Sequence, residues 1–204
     1  MAKDKKNLEK EYDVIVVGTG PAGGTIAHQM SEAGAKVLML EKGAYHPRWM
    51  QGKQIPCVFH FDKMGLLSTK EGLMVARAIT VGGSAIISCG AASSPFPGMF
   101  EAAGVDLSED LEESHDYMEI VDNFPEKLIG ENQMRLLHIA NDIGYNFQKF
   151  PKFIDPGRCT GGACMKGCPT GAKWSGRVPV EKARAYSAHL VTRADVARAL
   201  VEQG

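Results

Sequence analysis

The sequence has no long apolar run, no apolar leader and no excess of charge of either sign, and each absence excludes a class of protein. No segment reaches the roughly 18 apolar residues of a membrane-spanning helix. The opening segment, MAKDKKNLEKEYD, is charged, so we expect no secretory signal and a cytoplasmic location. A net charge of −1 gives no support for nucleic-acid binding, so we expect no nucleic-acid partner. We therefore expect a soluble globular chain with a sizeable core.

What the sequence has in excess is glycine, which supplies 23 of its 204 residues. The first glycine cluster lies within residues 12–43, YDVIVVGTGPAGGTIAHQMSEAGAKVLMLEKG. An apolar strand over residues 12–17 leads into the glycines, and a helix of small residues begins near Pro21. A second apolar strand over residues 36–40 ends at Glu41. Strand, glycine turn, helix, strand and acid in this order predict a βαβ dinucleotide-binding unit.

Each glycine of this cluster has a distinct expected role. Gly18 lets the chain turn sharply after the strand, Gly20 lets the backbone approach a pyrophosphate, and Gly23 lets the helix pack closely on the sheet. The free N–H groups and partial positive charge at the start of the helix favour phosphate. Pro21 is compatible with the first helical turn, where its missing N–H is not needed.

The acid that ends the second strand indicates which nucleotide is bound. We expect the carboxylate of Glu41 to accept hydrogen bonds from both ribose hydroxyls and to repel a 2′-phosphate, which disfavours NADP. The fingerprint alone does not separate FAD from NAD, since both contain the same adenosine diphosphate moiety. The long irregular stretch that follows, residues 44–76, is typical of FAD-binding flavoproteins.

Two helices are predicted in the middle of the chain. The acidic segment 108–122 is expected to form a surface helix with Ser108 as its N-cap. Residues 126–143 are expected to form an amphipathic helix that ends at Gly144. Its predicted apolar face consists of Ile129, Leu136, Leu137, Ala140 and Ile143.

The carboxyl-terminal part is predicted to contain one strand and one helix. Residues 189–191 form a short apolar run that indicates a strand. Thr192 and Asp195 have the spacing of a capping box, so a final helix is expected over residues 194–203.

A second glycine cluster, Val81-Gly82-Gly83-Ser84, lies between two apolar runs, and by itself it favours a tight turn. It is one of four motifs that occur in order: GTGPAGG, EKG at 41–43, RAITVGGSAIISCG at 77–90, and CMKGCPTGAKWSGR at 164–177. Together they resemble the glucose–methanol–choline (GMC) type of FAD-dependent oxidoreductases. The similarity is greatest to the bacterial and archaeal members that carry a cysteine-containing GCxxGAK segment.

This resemblance implies an α/β fold: a Rossmann-like FAD-binding βαβ domain with irregular, loop-rich insertions. Residues 1–11 are then a polar lead-in, and residues 12–204 form the FAD-binding domain, with a loop-rich cysteine segment at 150–180. The implied reaction oxidises a CH–OH group of a small-molecule substrate, with hydride transfer to the flavin. Ser88 or Cys89 stands where family members often have an asparagine. The implied cofactor contacts are Gly18, Gly20, Pro21, Ala22, Gly23, Glu41, Lys42, Arg77, Gly82, Gly83, Ser84 and Cys89.

The family's substrate domain and its active-site histidine have no counterpart in this sequence. We therefore expect the fold to be incomplete without a carboxyl-terminal part or a partner chain that supplies them. A truncated, non-catalytic FAD-binding module is an alternative. The chain's own histidines match no catalytic motif and are expected to be surface or packing residues: His28, His46, His60, His115, His138 and His189.

Three of the five cysteines, Cys159, Cys164 and Cys168, lie close together in the sequence. Three interpretations stay open. They are reduced structural thiols, ligands of an iron–sulfur cluster completed by Cys57, Cys89 or a partner chain, or ligands of zinc, although the paired CxxC spacing of zinc sites is absent. An iron–sulfur cluster would favour a second function, that of an electron-transfer flavoprotein subunit.

Three polar residues follow the last cysteine and are candidate contacts of an anionic flavin or of a substrate. They are also consistent with a solvated surface, which is the expectation for the last of them. These residues are Lys173, Ser175 and Arg177.

Overall fold

A computed structural model describes residues 11–46, 66–93 and 98–201. The chain divides into two compact units. The first unit comprises Met1–Ile87 and Ser175–Gly204, and the second comprises Ser88–Trp174. Most of the predicted polar lead-in and much of the irregular stretch, with Cys57 and His60, fall outside the described residues.

The first unit is built on a parallel sheet. Its strands are β1 (Val14–Val17), β2 (Val37–Glu41) and β5 (His189–Thr192), in the order β1-β2-β5. Helix α1 (Pro21–Glu32) connects β1 to β2, and helix α4 (Arg177–Ala185) precedes β5. The predicted βαβ unit and the short carboxyl-terminal strand are therefore confirmed, with ends that differ by one or two residues.

The core of the first unit lies between its helices and the sheet. Gly24 on α1 allows a close crossing, because a Cβ there would lie 3.0 Å from the Pro179 side chain and 3.3 Å from that of Val180 on α4. Burial of each large apolar side chain contributes about 1.5–3 kcal/mol. The buried cluster consists of Val16, Ala27, Val37, Met39, Val81, Val180, Ala183 and Ala188.

A hairpin and a short helix complete the described part of the first unit. Strands β3 (Leu66–Ser68) and β4 (Met74–Ala76) pair antiparallel. The second glycine cluster opens a 3₁₀ helix over Gly83–Ile87.

The second unit contains helices α2 (Ser108–Tyr117) and α3 (Glu131–Asp142) and is otherwise rich in loops. Isolated antiparallel bridges, including one between Ile154 and Lys173, hold these loops together. A small apolar core of Phe124, Ile154, Cys168 and Ala172 lies among them. Within the described part of the chain, every helix is too short or too polar to cross a lipid bilayer.

The two middle helices differ from their predicted limits. Helix α2 ends at Tyr117, and Glu119 has a positive φ of 53° that the helix cannot continue through. Ser108 is not its N-cap. The Asp106 carboxylate precedes the helix and accepts hydrogen bonds from the Ser108 N–H (2.9 Å) and hydroxyl (2.6 Å).

Helix α3 begins later than predicted because the chain is extended at Gly130 (φ −58°, ψ 148°). Its predicted end at Gly144 holds, since that residue has a φ of 93°. The apolar face is only partly correct: Ala140 is buried, but Leu136 and Ile143 are exposed.

The predicted final helix over residues 194–203 is wrong over its described part, because residues 194–201 have no helical structure. The chain instead continues beside the end of β2. The Arg193 N–H donates to the Gly43 carbonyl (3.0 Å), and the Ala194 N–H donates to the Glu41 carbonyl (2.9 Å). Asp195 forms an ion pair with Lys42 (3.0 Å) instead of capping a helix.

Candidate cofactor-binding site

The first glycine cluster forms the turn between β1 and α1. Gly18 has a φ of 87°, a conformation that favours glycine. Gly20 precedes the helix with a φ of −66° and a ψ of −177°, which other residues adopt freely. A Cβ on Gly20 would have no atom within 4 Å. Neither backbone conformation nor the described packing therefore requires glycine at position 20, and the close approach of a ligand there stays a prediction.

The opposite side of this turn is packed against two other glycines. A Cβ on Gly83 would lie 2.8 Å from the Gly20 Cα, and a Cβ on Gly176 would lie 2.7 Å from the Gly20 carbonyl carbon. Three distant segments therefore meet as bare backbone around the turn. The sequence indicated the first two segments, but the role of Gly176 was missed, because nothing local to Trp174-Ser175-Gly176 indicates which backbone it meets.

Glu41 lies at the carboxyl end of β2, as predicted, and is only 6% exposed. Its Oε2 accepts hydrogen bonds from the Thr19 backbone N–H (2.9 Å) and hydroxyl (2.6 Å). Its Oε1 accepts one from the Gly43 N–H (2.8 Å). Thr19 is fully buried and also accepts the Gly82 N–H at its carbonyl oxygen (3.0 Å). Sequence reasoning missed Thr19, because this position of the glycine motif has no fixed residue type.

The remaining predicted contacts in the first unit lie around this turn. Pro21 and Ala22 are exposed at the start of α1, and Lys42 is exposed next to Glu41. Ser84 is exposed, and its Oγ accepts a hydrogen bond from the Ala78 N–H (3.1 Å), which fixes the entry to the 3₁₀ helix. The structure therefore places most of the predicted cofactor contacts near the turn between β1 and α1.

Two predicted contacts lie apart from this set. Arg77 is half-buried in the first unit, next to the segment that enters the 3₁₀ helix. Cys89 is exposed and belongs to the second unit, as does Ser88. Their roles at a cofactor stay predictions.

Arg177 is not solvated, contrary to expectation. It is 2% exposed, its Nη2 donates to the Val81 carbonyl (3.4 Å), and its guanidinium carbon lies 4.6 Å from the centre of the Tyr45 ring. Its backbone nitrogen would lie 2.9 Å from a Cβ on Gly82. A buried positive charge therefore stands directly behind the second glycine cluster, and stacking on an aromatic ring is a favourable environment for it.

The three clustered cysteines lie in the second unit and behave as apolar packing residues. Cys168 is buried in the small core, and its Sγ accepts the Lys173 N–H (3.2 Å). Cys159 and Cys164 pack against the same core. Burial raises the pKa of the Cys164 thiol, although the Lys173 ammonium opposes this shift.

In the ranges that the structure describes, no three His, Cys, Asp or Glu side chains converge to hold a metal. The packing of Cys159, Cys164 and Cys168 on the small core supports the structural-thiol interpretation. The described residues give no evidence for an iron–sulfur cluster or a zinc site, and Cys57 lies outside them. Lys173 is buried beside these cysteines, and its Nζ donates to the carbonyls of Ser88 (2.5 Å) and Cys164 (2.8 Å). Burial lowers the pKa of Lys173.

The first unit fits a dinucleotide such as FAD. The space over Gly18 and Gly20 is open in the described structure, and the start of α1 directs free N–H groups and a partial positive charge toward it. Glu41 stands at the strand end where an adenosine ribose is expected.

Comparison with known proteins identifies the class first. The FAD binding domain family model matches residues 13–54. This match covers the whole βαβ unit.

Individual proteins that are similar to this chain point to one type of FAD-dependent oxidoreductase. A long-chain-alcohol oxidase of Arabidopsis thaliana is 29% identical over 84% of this chain and 24% of its own length. An uncharacterized GMC-type oxidoreductase of Mycobacterium tuberculosis is 26% identical over 94% of this chain and 33% of its own length. Pyridoxine 4-oxidase from Mesorbium loti has the same fold (TM-score 0.62, 17% identity, 95% of this chain and 44% of that one). The chain resembles the FAD-binding part of GMC-type oxidoreductases and spans less than half the length of each of these relatives.

Proposed function

We propose that this chain is the FAD-binding part of an oxidoreductase that oxidises a CH–OH group. The observation that carries the proposal is Gly20, whose open Cβ direction and unstrained backbone are explained by a ligand and by no described protein contact. The relatives' names support the reaction class, since they include long-chain-alcohol oxidases and a pyridoxine oxidase.

The residues of this chain bind and orient the cofactor. Gly18 and Gly20 admit the pyrophosphate to the backbone, the start of α1 stabilises its charge, and Glu41 receives the ribose. Bound FAD supplies the hydride acceptor, which no amino-acid side chain provides. The chain's contribution is therefore the position and electrostatic environment of the cofactor.

We propose that further polypeptide supplies the substrate domain and the base that takes the hydroxyl proton. The sheet of the first unit supports this, because β1 has one described neighbour, β2. Ile15 and Val17 on β1 are 58% and 62% exposed, whereas strands of parallel sheets are normally covered on both faces. An additional strand and an apolar layer against β1 would complete the fold.

Titration of the purified chain tests the binding proposal. Quenching of flavin fluorescence should show saturable binding of one FAD, competition by ADP, and no competition by NADPH. FMN, which lacks the adenosine, should bind far more weakly than FAD. Binding of NADH in preference to FAD, or no binding of either, would contradict the proposal.

A further inference from the structure

The apolar surface of helix α3 is wider than the part of it that is packed in the described structure. Ala140 is buried and Leu137 is half-buried, but Leu136, Ile139 and Ile143 are 60%, 48% and 69% exposed. The spacing of three and four residues places these three side chains in one line along the helix. Ile143 continues the last turn, since its N–H donates to the Ile139 carbonyl (3.2 Å). We call these three exposed residues the α3 stripe.

One flank of the α3 stripe carries two opposite charges. Arg135 and Asp142 each come one position before a stripe residue, so they lie on the same flank, about 10 Å apart along the helix axis. Both side chains are exposed, and neither forms an ion pair with another described residue. The flank therefore offers one positive and one negative group, two helical turns apart, to a partner that lies against the stripe.

This arrangement is self-complementary when two copies of α3 lie antiparallel. A two-fold axis then passes near Ile139, and Leu136 of one copy lies across from Ile143 of the other. Because an antiparallel pair brings the same flank of both helices together, Arg135 of each copy lies opposite Asp142 of the other. A parallel pair would place the two charged flanks on opposite sides and form neither ion pair.

We propose that the α3 stripe is an interface between two copies of this chain, whose α3 helices pair antiparallel. Both the apolar line and the charge pattern that carry the proposal belong to α3 itself, so a second copy supplies a matching surface without any other polypeptide. A single stripe buries less than the roughly 1,200–2,000 Å² of a standard interface, so the dimer should be weak. We expect a dissociation constant on the order of 10–100 μM. The proposal does not depend on FAD.

Analytical ultracentrifugation of the chain between about 1 and 200 μM tests the interface. The average mass should rise from monomer toward dimer over this range. Ile139→Asp places two carboxylates near the two-fold axis and should weaken association at least about tenfold, because like charges oppose each other there. Leu200→Asp, at a leucine of the first unit that is 75% exposed, is the control and should associate as the wild type does. A chain that stays monomeric to 200 μM would overturn the proposal and leave the stripe for other polypeptide to cover.

Two charge variants test the antiparallel arrangement. In Arg135→Asp both flank positions are negative, and in Asp142→Arg both are positive. Each variant alone should associate at least about fivefold more weakly than the wild type, because like charges then oppose across the interface. An equimolar mixture of the two should recover wild-type association, since each copy again meets the opposite charge.

The same variants distinguish this interface from pairing elsewhere on the chain. Both substitutions are at exposed positions, so the circular dichroism spectrum and the FAD affinity should stay those of the wild type. A mixture that associates no better than either variant alone would rule out the antiparallel pairing. A dimer that persists unchanged in Ile139→Asp and in both charge variants would lie at another surface, such as the edge of β1, and would overturn the proposal.

Discussion

Gly176 lies so close to Gly20 that a Cβ on residue 176 would stand 2.7 Å from the Gly20 carbonyl carbon. The Cβ direction of Gly20 itself has no described atom within 4 Å. The packing of the protein therefore requires glycine at position 176 but not at position 20, where we propose that a bound ligand does. Alanine at each position should therefore produce different defects.

Gly20→Ala should leave the folded protein intact and impair cofactor binding. A methyl group there meets no protein atom, but it occupies the space over the turn where the pyrophosphate is expected. We expect the melting temperature without FAD to change little and the FAD dissociation constant to rise at least about tenfold. Gly157→Ala, in a loop of the second unit, is the matched control. Normal FAD affinity in Gly20→Ala would contradict the assignment.

Gly176→Ala should destabilise the protein before any ligand is added. The new methyl group would press on the backbone of Gly20, Pro21 and Gly82 at 2.7–2.8 Å. Overpacking of this kind costs about 1–3 kcal/mol. Urea unfolding of the protein without FAD measures this cost. Wild-type stability in the variant would show that the three backbones do not meet as described.

Arg177→Ala should be far more damaging than Arg184→Ala, although both residues lie on α4. Arg177 is 2% exposed, donates to the Val81 carbonyl and covers the Tyr45 ring. Its removal should cost about 2–4 kcal/mol, as for a large buried side chain. Arg184 is half-exposed and pairs with Glu181, so its loss should stay within about 0.5 kcal/mol. Equal effects in chemical denaturation would contradict the burial of Arg177.

Lys173→Met should change how stability depends on pH. Burial lowers the pKa of Lys173 in the folded protein below the 10.5 of an unperturbed lysine. Between these two values the unfolded chain binds more protons, so the contribution of Lys173 to stability rises with pH and is lost as pH falls through the lowered pKa. The free energy of unfolding of the wild type minus that of Lys173→Met should therefore increase from neutral pH toward about pH 10.

Urea titrations at several pH values measure this difference. Lys166→Met, at an exposed lysine of the same unit, controls for the loss of one lysine. A difference that stays constant or falls with pH would argue against burial of the Lys173 ammonium.

Replacement of Cys159, Cys164 and Cys168 by alanine should lower stability without altering the chromophore. All three thiols pack with the small core around Phe124, so their loss should cost about 1–3 kcal/mol in total. The FAD-loaded variant should keep the flavin absorbance bands of the wild type. Iron and acid-labile sulfide that are present in the wild type and missing from the variant would instead support an iron–sulfur cluster.

The βαβ unit could be predicted because its signals are local. Gly18 and the apolar strands before and after it all lie within about 30 residues, the size of one supersecondary unit, so the sequence pattern alone predicts the unit. The place of Glu41 follows from the same register. The burial of Arg177 and the contact of Gly176 with Gly20 depend on segments far apart in the sequence, and no local period reports them.

The wrong final helix has a tertiary cause. The N–H groups of Arg193 and Ala194 tie the chain to the carbonyls of Gly43 and Glu41, and Arg193 has a φ of 57°, which a helix does not accommodate. A capping-box pattern reports the local preference of the chain and not the distant Lys42, which pairs with the Asp195 carboxylate (3.0 Å). The spacing of apolar residues on α3 likewise placed Leu136 and Ala140 on one helix face. Spacing alone does not indicate which residues of that face are packed against the rest of the protein, and only Ala140 is buried.

The edge of β1 that has no described neighbour affects the solubility of the chain when it is produced alone. Among the described residues β1 pairs with β2 alone, so its other edge and the exposed Ile15 and Val17 offer both backbone hydrogen bonds and apolar surface to the same strand of another molecule. Such pairing leads to intermolecular sheets and precipitation. Recovery of soluble protein should therefore rise when the further polypeptide proposed above is co-expressed, and charged residues at positions 15 and 17 should raise it in this chain alone.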